Sequence, residues 1–317
     1  MTKILITGGC GFIGSNLVEF LLEKTDWKIN VLDNLSIGKK EDLKNIKGAA
    51  ERVVFFKGDI RKKEDILKAI DSCDYVVNLA AQVGVIPSIE DPLLDAEINI
   101  TGTLNVLNAC VEKKVKKIVH ASSAAILGDQ DMPLDENSMP KPLSPYAASK
   151  LAGEQYCSAF AASYGLKSVA LRFFNAYGPK SYGRGSVIPL FIQQMLDGKA
   201  VTIYGDGSQT RDFVYAKDIC NAIYLSLITD LPNKFELFQV ATSKETSVNE
   251  LFTLLKEELQ KQGITVLDAK YAPARSGEIL RSYSDIAKSK SLLNYSPEID
   301  LKEGISKAVT WFLSKKK

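Results

Sequence analysis

The stretch "KILITGGCGFIGSNLVEFLLE" constrains the fold more than any other part of the chain. A short apolar run at 3–7 passes through a glycine-rich turn into a helical pattern at 16–24. Gly8, Gly11 and Gly14 fit a GxxGxxG spacing, and Gly9, Gly11 and Gly14 equally fit GxGxxG. Glycines so placed permit the tight turn, the close approach of a pyrophosphate and close strand–helix packing. The anion then meets free N–H groups at a helix N-terminus, where Phe12 and Ile13 stand.

An acidic residue completes the pattern. Asp33 ends the second apolar run, in "INVLDNLSIGK". A carboxylate there accepts from ribose hydroxyls and repels a 2′-phosphate, so the expected cofactor is NAD and not NADP. Asn34, Ser36 and Gly38 follow it, and Asp59 with Ile60, in "KGDI", is placed towards the adenine.

Further apolar runs at 53–59, 75–81, 117–123 and 168–174 alternate with helical patterns at 63–71 and 101–113. Almost wholly apolar strands between amphipathic helices indicate a parallel sheet covered on both faces. The expected class is α/β: a doubly wound parallel sheet of Rossmann type with a smaller mixed α/β substrate-binding lobe. Residues 1–174 are assigned to the first domain and 175–317 mainly to the second. Segments at about 212–245 are expected to return to the first.

Composition excludes several functions. Net charge is +2, and basic runs such as "KKK" at 315–317 are short, so no nucleic-acid partner is expected. The five cysteines are scattered without a CxxC pair, and His120 is the lone histidine, within an apolar run. Neither a disulfide framework, a metal site nor a Ser-His-Asp triad is expected. No apolar stretch reaches membrane-spanning length, and residues 1–9 are no signal peptide. The expectation is a soluble cytoplasmic protein with a substantial core, hydrophobic residues making up 45% of the chain.

Tyr146 and Lys150 sit four apart in "PYAASKLAGEQY". Taken alone, that spacing means only a shared helix face. Taken with "TGGCGFIGS", "DNLSIGK", "GDI", "NLAAQ", "NITGTLNVL", "SSAAILGD", "LRFFNAYGP", "GDGSQTRDFVYAKD", "RSGE" and "YSPEIDLKEGI", it makes the chain resemble an extended short-chain dehydrogenase/reductase over its whole length. Within that family it is most similar to the UDP-galactose and UDP-N-acetylglucosamine 4-epimerases.

The resemblance implies a mechanism. Tyr146 takes the proton of a sugar C4 hydroxyl while hydride leaves for the nicotinamide. Hydride then returns to the opposite face of a transient 4-keto sugar, so NAD stays bound and is regenerated. Free tyrosine has a pKa of about 10, and a nearby ammonium favours its phenolate. Lys150 supplies that charge and holds the nicotinamide ribose. Ser123 bonds the same hydroxyl, with Ser122 the neighbouring candidate. Leu79, Ala80, Ala81 and Asn99 join the cofactor contacts.

On the substrate side the resemblance implies Asn175, Arg211 and Arg275 on the diphosphate, with Val187, Thr202 and Tyr204 around the uracil. Ala124 and Ala125 stand near where related dehydratases and decarboxylases carry an acidic residue, and Asp129 lies beyond the Gly128 turn. That favours epimerisation. Ser282 falls where glucose/galactose-only enzymes resemble one another in carrying tyrosine, and a serine leaves room for a 2-acetamido group. Asn78 and Leu127 depart from common family residues and weaken the substrate assignment. UDP-glucuronate, GDP- or dTDP-linked sugars, or a non-catalytic NAD or nucleotide sensor remain alternatives. The family also implies a homodimer through the helices at 101–113 and 146–164.

Overall fold

The computed structural model describes residues 1–182, 185–274 and 279–316. Its centre is a seven-stranded sheet. The first six strands are β1 (Lys3–Thr7), β2 (Lys28–Asp33), β3 (Val53–Lys57), β4 (Tyr75–Asn78), β5 (Lys117–Ser123) and β6 (Lys167–Phe173). The seventh, Phe235–Val240, pairs in parallel with β6, so this late segment enters the sheet. Across the sheet the order is Phe235–Val240, β6, β5, β4, β1, β2, β3.

The side-chain alternation of β1 shows why both faces must be covered. Ile4 and Ile6 enter one hydrophobic cluster, and Leu5 between them enters another. Helices α1 (Phe12–Lys24) and Ala216–Ile228 pack together on the first face. Lys63–Ala69, Thr103–Glu112 and Pro145–Tyr164 cover the second. The chain runs outward through β1, β2 and β3, then crosses back to β4 on the other side of β1. That reversal opens a crevice at the carboxyl ends of β1 and β4, where ligands bind in such sheets.

A second core forms around Ile188, Phe191, Ile192, Leu251, Leu255 and Val309. Its strands are short: Thr202–Tyr204 runs parallel to Lys270–Ala272, and Thr210–Arg211 antiparallel to Thr246–Ser247. Asn175–Tyr177, which follows β6, pairs in parallel with Phe213–Tyr215. This small sheet leads from the large sheet into the second core.

The helix expected at 101–113 starts earlier, with a π-helical turn at Glu97–Gly102 before the α-helix Thr103–Glu112. The wider turn leaves no sequence signature of its own. The helix Pro145–Tyr164 is bounded as its ends dictate. Ser144 caps it by accepting from the Ala147 N–H at 3.2 Å, Pro145 fills the first turn, and Gly165 closes it at φ 72°. Among the described residues no helix is long and apolar enough to cross a membrane.

Candidate active site

The first turn of α1 opens at the carboxyl end of β1. Gly11 caps the helix without a side-chain acceptor, and no acidic residue occupies the first turn. Positive helix-end charge therefore meets no local counter-charge. A Cβ on Gly14 would lie 2.2 Å from the Gly8 carbonyl oxygen, so strand and helix touch through bare backbone. Gly8 has φ 69°, and its missing Cβ would sit 2.7 Å from the Ala80 nitrogen at the end of β4. Phe12 is buried and Ile13 half-buried at this helix start. The cradle fits a pyrophosphate: glycine backbone at a helix N-terminus whose first turn carries no acidic residue.

Asp33 lies beside it. Its Oδ2 accepts from the Cys10 N–H at 2.9 Å and its Oδ1 from the Leu35 N–H at 2.8 Å. Burial raises its pKa while these two N–H groups oppose the rise. Each oxygen keeps acceptor capacity for a ribose hydroxyl. Asn34 accepts from the Ser36 N–H and donates to Asp59 at 3.0 Å. Asp59 is also gripped by Arg61 at 2.8 Å, which holds its carboxyl well below the usual range. Gly38 packs against Cys10, whose thiol burial pushes up to about 12. Ile60 is buried in the cluster on the second face, where it packs on Gly102, and its side chain belongs to the core.

Leu79, Ala80 and Ala81 continue from β4 across the crevice, all half-buried. Asn78, one of the departures, points into the sheet. It accepts from the Thr7 hydroxyl at 2.7 Å, donates to the Thr103 hydroxyl at 3.3 Å and bonds the His120 Nδ1 at 3.2 Å. Burial keeps His120 neutral, with its pKa lowered to about 3. Asn99 stands on the π-helical turn and clamps Gln82 through both its N–H and its carbonyl, at 2.9 and 3.0 Å.

The residues expected to carry the reaction lie on β5 and the helix Pro145–Tyr164. Ser123 ends β5, and its Oγ accepts from the Ala125 N–H at 3.2 Å. Its hydroxyl proton is left to donate elsewhere. The Lys150 ammonium is buried, donates to the Ala121 carbonyl at 2.9 Å and lies 6.0 Å from the centroid of the Tyr146 ring. Burial lowers its pKa to about 8, opposed by the charges of Asp95 and then Glu154. Ser122, the neighbouring candidate, turns away and donates to Glu154 at 2.5 Å. Asp129 is exposed in its loop.

Of the residues expected on the substrate side, Asn175, Arg211 and Ser282 gather around Asp212. The Asp212 carbonyl accepts from both the backbone N–H and the side-chain amide of Asn175, at 3.0 and 3.2 Å. The Asp212 N–H donates to the Ser282 carbonyl at 2.9 Å. Arg211, its neighbour, donates to the Thr210 carbonyl at 2.8 Å. Asn175, Arg211 and Ser282 are thus held at one edge. The Asp212 carboxyl accepts from the Thr242 N–H and hydroxyl, and burial raises its pKa to about 6. Val187 opens the helix Val187–Leu196, and Thr202 and Tyr204 lie in the second lobe's parallel pair. Arg275 lies outside the described residues.

Asp95, Glu154, Arg172 and Asp212 escape a reading by motif. Glu154 and Arg172 form a buried bidentate pair, both bonds 2.9 Å, behind Ser122 and Lys150. Buried groups 18 residues apart carry no local signal; four-residue spacing from Lys150 is the only hint for Glu154.

Fold and site together define a dinucleotide-binding protein with a Ser/Tyr/Lys set at the end of its crevice. The model of the NAD dependent epimerase/dehydratase family matches residues 4–240. A "Putative UDP-glucose 4-epimerase" of Methanocaldococcus jannaschii is 42% identical over 97% of each chain. The solved UDP-N-acetylglucosamine 4-epimerase of Methanobrevibacter ruminantium M1, in complex with UDP-N-acetylmuramic acid, is 38% identical over 99% of both chains, with TM-score 0.91. The UDP-glucose 4-epimerase of Thermus thermophilus, solved as a complex with NAD, is 36% identical, covers 98% of this chain and 99% of its own, and has TM-score 0.87. The chain belongs to the NAD-dependent epimerase/dehydratase family. It is an NAD-dependent epimerase of the nucleotide-sugar 4-epimerase type, and NAD is its cofactor.

Proposed function

We propose that this enzyme interconverts UDP-glucose with UDP-galactose and also UDP-N-acetylglucosamine with UDP-N-acetylgalactosamine. The observation that carries the sugar assignment is Ser282. Its carbonyl is tied to Asp212 at 2.9 Å, beside Asn175, and its side chain is small. A bulky ring at that position would fill the volume a 2-acetamido group needs. Ala124 and Ala125 after Ser123 supply no second acid or base, which favours epimerisation over loss of water or carbon dioxide.

NAD, when bound, would supply the reversible hydride acceptor for C4. Tyr146 takes and returns the C4 hydroxyl proton, Ser123 donates to that oxygen, and the Lys150 ammonium lowers the cost of the phenolate. The glycine cradle of Gly8, Gly11 and Gly14, with Phe12 and Ile13, holds the pyrophosphate. Asp33, Asn34, Ser36, Gly38 and Asp59 hold the adenosine side, and Leu79, Ala80, Ala81 and Asn99 line the crevice. Asn175, Arg211 and Arg275 grip the UDP diphosphate, guanidinium being suited to bidentate contact. Val187, Thr202 and Tyr204 enclose the uracil. Residues 175–317, apart from about 212–245, act as the substrate lobe.

The working unit is a homodimer. Ile86, Ile89 and Leu93 are exposed on short helices that pack against Pro145–Tyr164, where Tyr156 and Tyr164 are exposed too. A second copy seated there would bury this apolar face. Sedimentation at micromolar concentration tests it, a monomer being the contrary result.

The sugar assignment is tested by incubating purified enzyme without added NAD. UDP-galactose, UDP-N-acetylgalactosamine and UDP-glucuronate are supplied separately and the epimers resolved. Product from the first two supports the proposal, and product from the uronate alone overturns it.

A further inference from the structure

Asp212 stands between the short strands Thr210–Arg211 and Phe213–Tyr215 and is fully buried. Its backbone works towards the substrate edge. The N–H donates to the Ser282 carbonyl at 2.9 Å, and the carbonyl accepts from the Asn175 N–H at 3.0 Å and from its side-chain amide at 3.2 Å. Its side chain works the other way. Oδ1 accepts from the Thr242 N–H at 2.9 Å and from the Thr242 hydroxyl at 2.6 Å. One residue therefore joins three stretches of chain that lie far apart in sequence.

The stretch that grips the carboxyl has an uncommon shape. It leaves the seventh sheet strand at Val240, and Ser243 turns it at φ 60°, in the left-handed region that a serine seldom adopts. It then returns as Thr246–Ser247, antiparallel to Thr210–Arg211, with Thr246 opposite Arg211. Between them, Glu245 accepts from the Thr210 hydroxyl at 2.5 Å and from the Arg281 guanidinium at 2.6 and 3.0 Å. Arg211 thus has an anchored Asp212 beside it in the chain and Thr246 across the ladder. The arrangement costs stability, because Ser243 is left-handed and the Asp212 Oδ2 is buried without a hydrogen bond.

We propose that Asp212 is a positioning residue for the substrate: its carboxyl clips the chain after the seventh strand to the substrate edge and so sets where Asn175, Arg211 and Ser282 stand. This rests on the UDP-sugar reading of that edge. A carboxylate holds the two Thr242 donors more firmly than an amide oxygen does. Without the clip, the backbone of Asp212 keeps its own bonding groups but loses the side-chain bonds that fix them to the large sheet.

The test measures UDP binding to NAD-loaded enzyme by calorimetry, with KM and kcat on UDP-galactose. Asp212→Ala removes the clip and should weaken UDP about tenfold or more, KM rising by more than kcat falls. Asp212→Asn can still accept from Thr242 and should lose about threefold or less. Thr242→Val removes one of the two donors and should weaken UDP about threefold, and it replaces Asp212→Ala if that variant does not fold. Asp218→Ala removes another buried carboxyl, one that accepts from the Glu298 and Ile299 N–H groups at 3.0 and 3.3 Å. It should leave UDP affinity within about twofold, since general destabilisation does not move the edge. Unchanged affinity in Asp212→Ala, or an equal loss in Asp212→Asn or Asp218→Ala, overturns the proposal. A wild type that binds no UDP overturns the substrate reading and this role with it. A wild type that binds UDP no better than Asp212→Ala does overturns this role alone.

Discussion

The Lys150 ammonium lies 6.0 Å from the centroid of the Tyr146 ring, one helical turn along the same helix and fixed by a 2.9 Å bond to the Ala121 carbonyl. In a buried site that separation lets the ammonium's charge act on the ring and its hydroxyl. Activity should therefore follow the lysine's charge. Burial lowers Lys150 to about 8, so the ammonium is present below that pH and lost above it. The account predicts a kcat/KM that falls as pH rises through about 8, and a Lys150→Met enzyme lacking this limb. Tyr146→Phe should lose about 10²- to 10⁴-fold in kcat with its NAD content intact. A wild-type profile flat to pH 10 would contradict it.

Gly14 tests the cradle. Any Cβ there lands 2.2 Å from the Gly8 oxygen, and backbone cannot yield as a flexible side chain does. Gly14→Ala should carry less NAD after purification, by roughly tenfold or more, since tenfold is only about 1.4 kcal/mol. Chromatography of the released nucleotide measures it. Full NAD content would mean the pyrophosphate lies elsewhere.

The pair Arg172–Glu154 is 3% and 2% exposed at its side chains. Breaking it leaves a buried charge without its partner. Glu154→Gln is expected to cost about 3–5 kcal/mol of folding stability, read from urea unfolding of the NAD-loaded protein. A loss below about 1 kcal/mol would show that water or a rearrangement satisfies Arg172.

Ser282→Tyr addresses the sugar. It should abolish turnover of UDP-N-acetylglucosamine and spare UDP-galactose, because only the acetamido group competes with the ring. Initial rates on the two substrates measure it. Equal loss on both, or none on either, would remove Ser282 from the specificity argument.

What is legible in the sequence follows the range of its signals. β1, the glycine turn and α1 lie within one local stretch, and Tyr146, Lys150 and their helix within another. The strand pattern predicts the sheet because almost every strand is buried on both faces. Asp95 is not legible, because its tie to Ser149 crosses from one helix to another through Asn99. Nor is Ser122's turn towards Glu154, since adjacent strand residues point to opposite faces and only the packed sheet shows which faces the crevice. Asn78 stands out as a departure, but its role in joining Thr7, Thr103 and His120 requires three strands or helices to be assembled.

The central claim is reversible oxidation at C4 by a cofactor that stays bound. UDP-galactose carrying deuterium at C4 tests it most directly, in ordinary water without added NAD. The account predicts UDP-glucose with the deuterium still at C4, because hydride leaves and returns without meeting solvent. Product that has exchanged its deuterium for solvent hydrogen would contradict it.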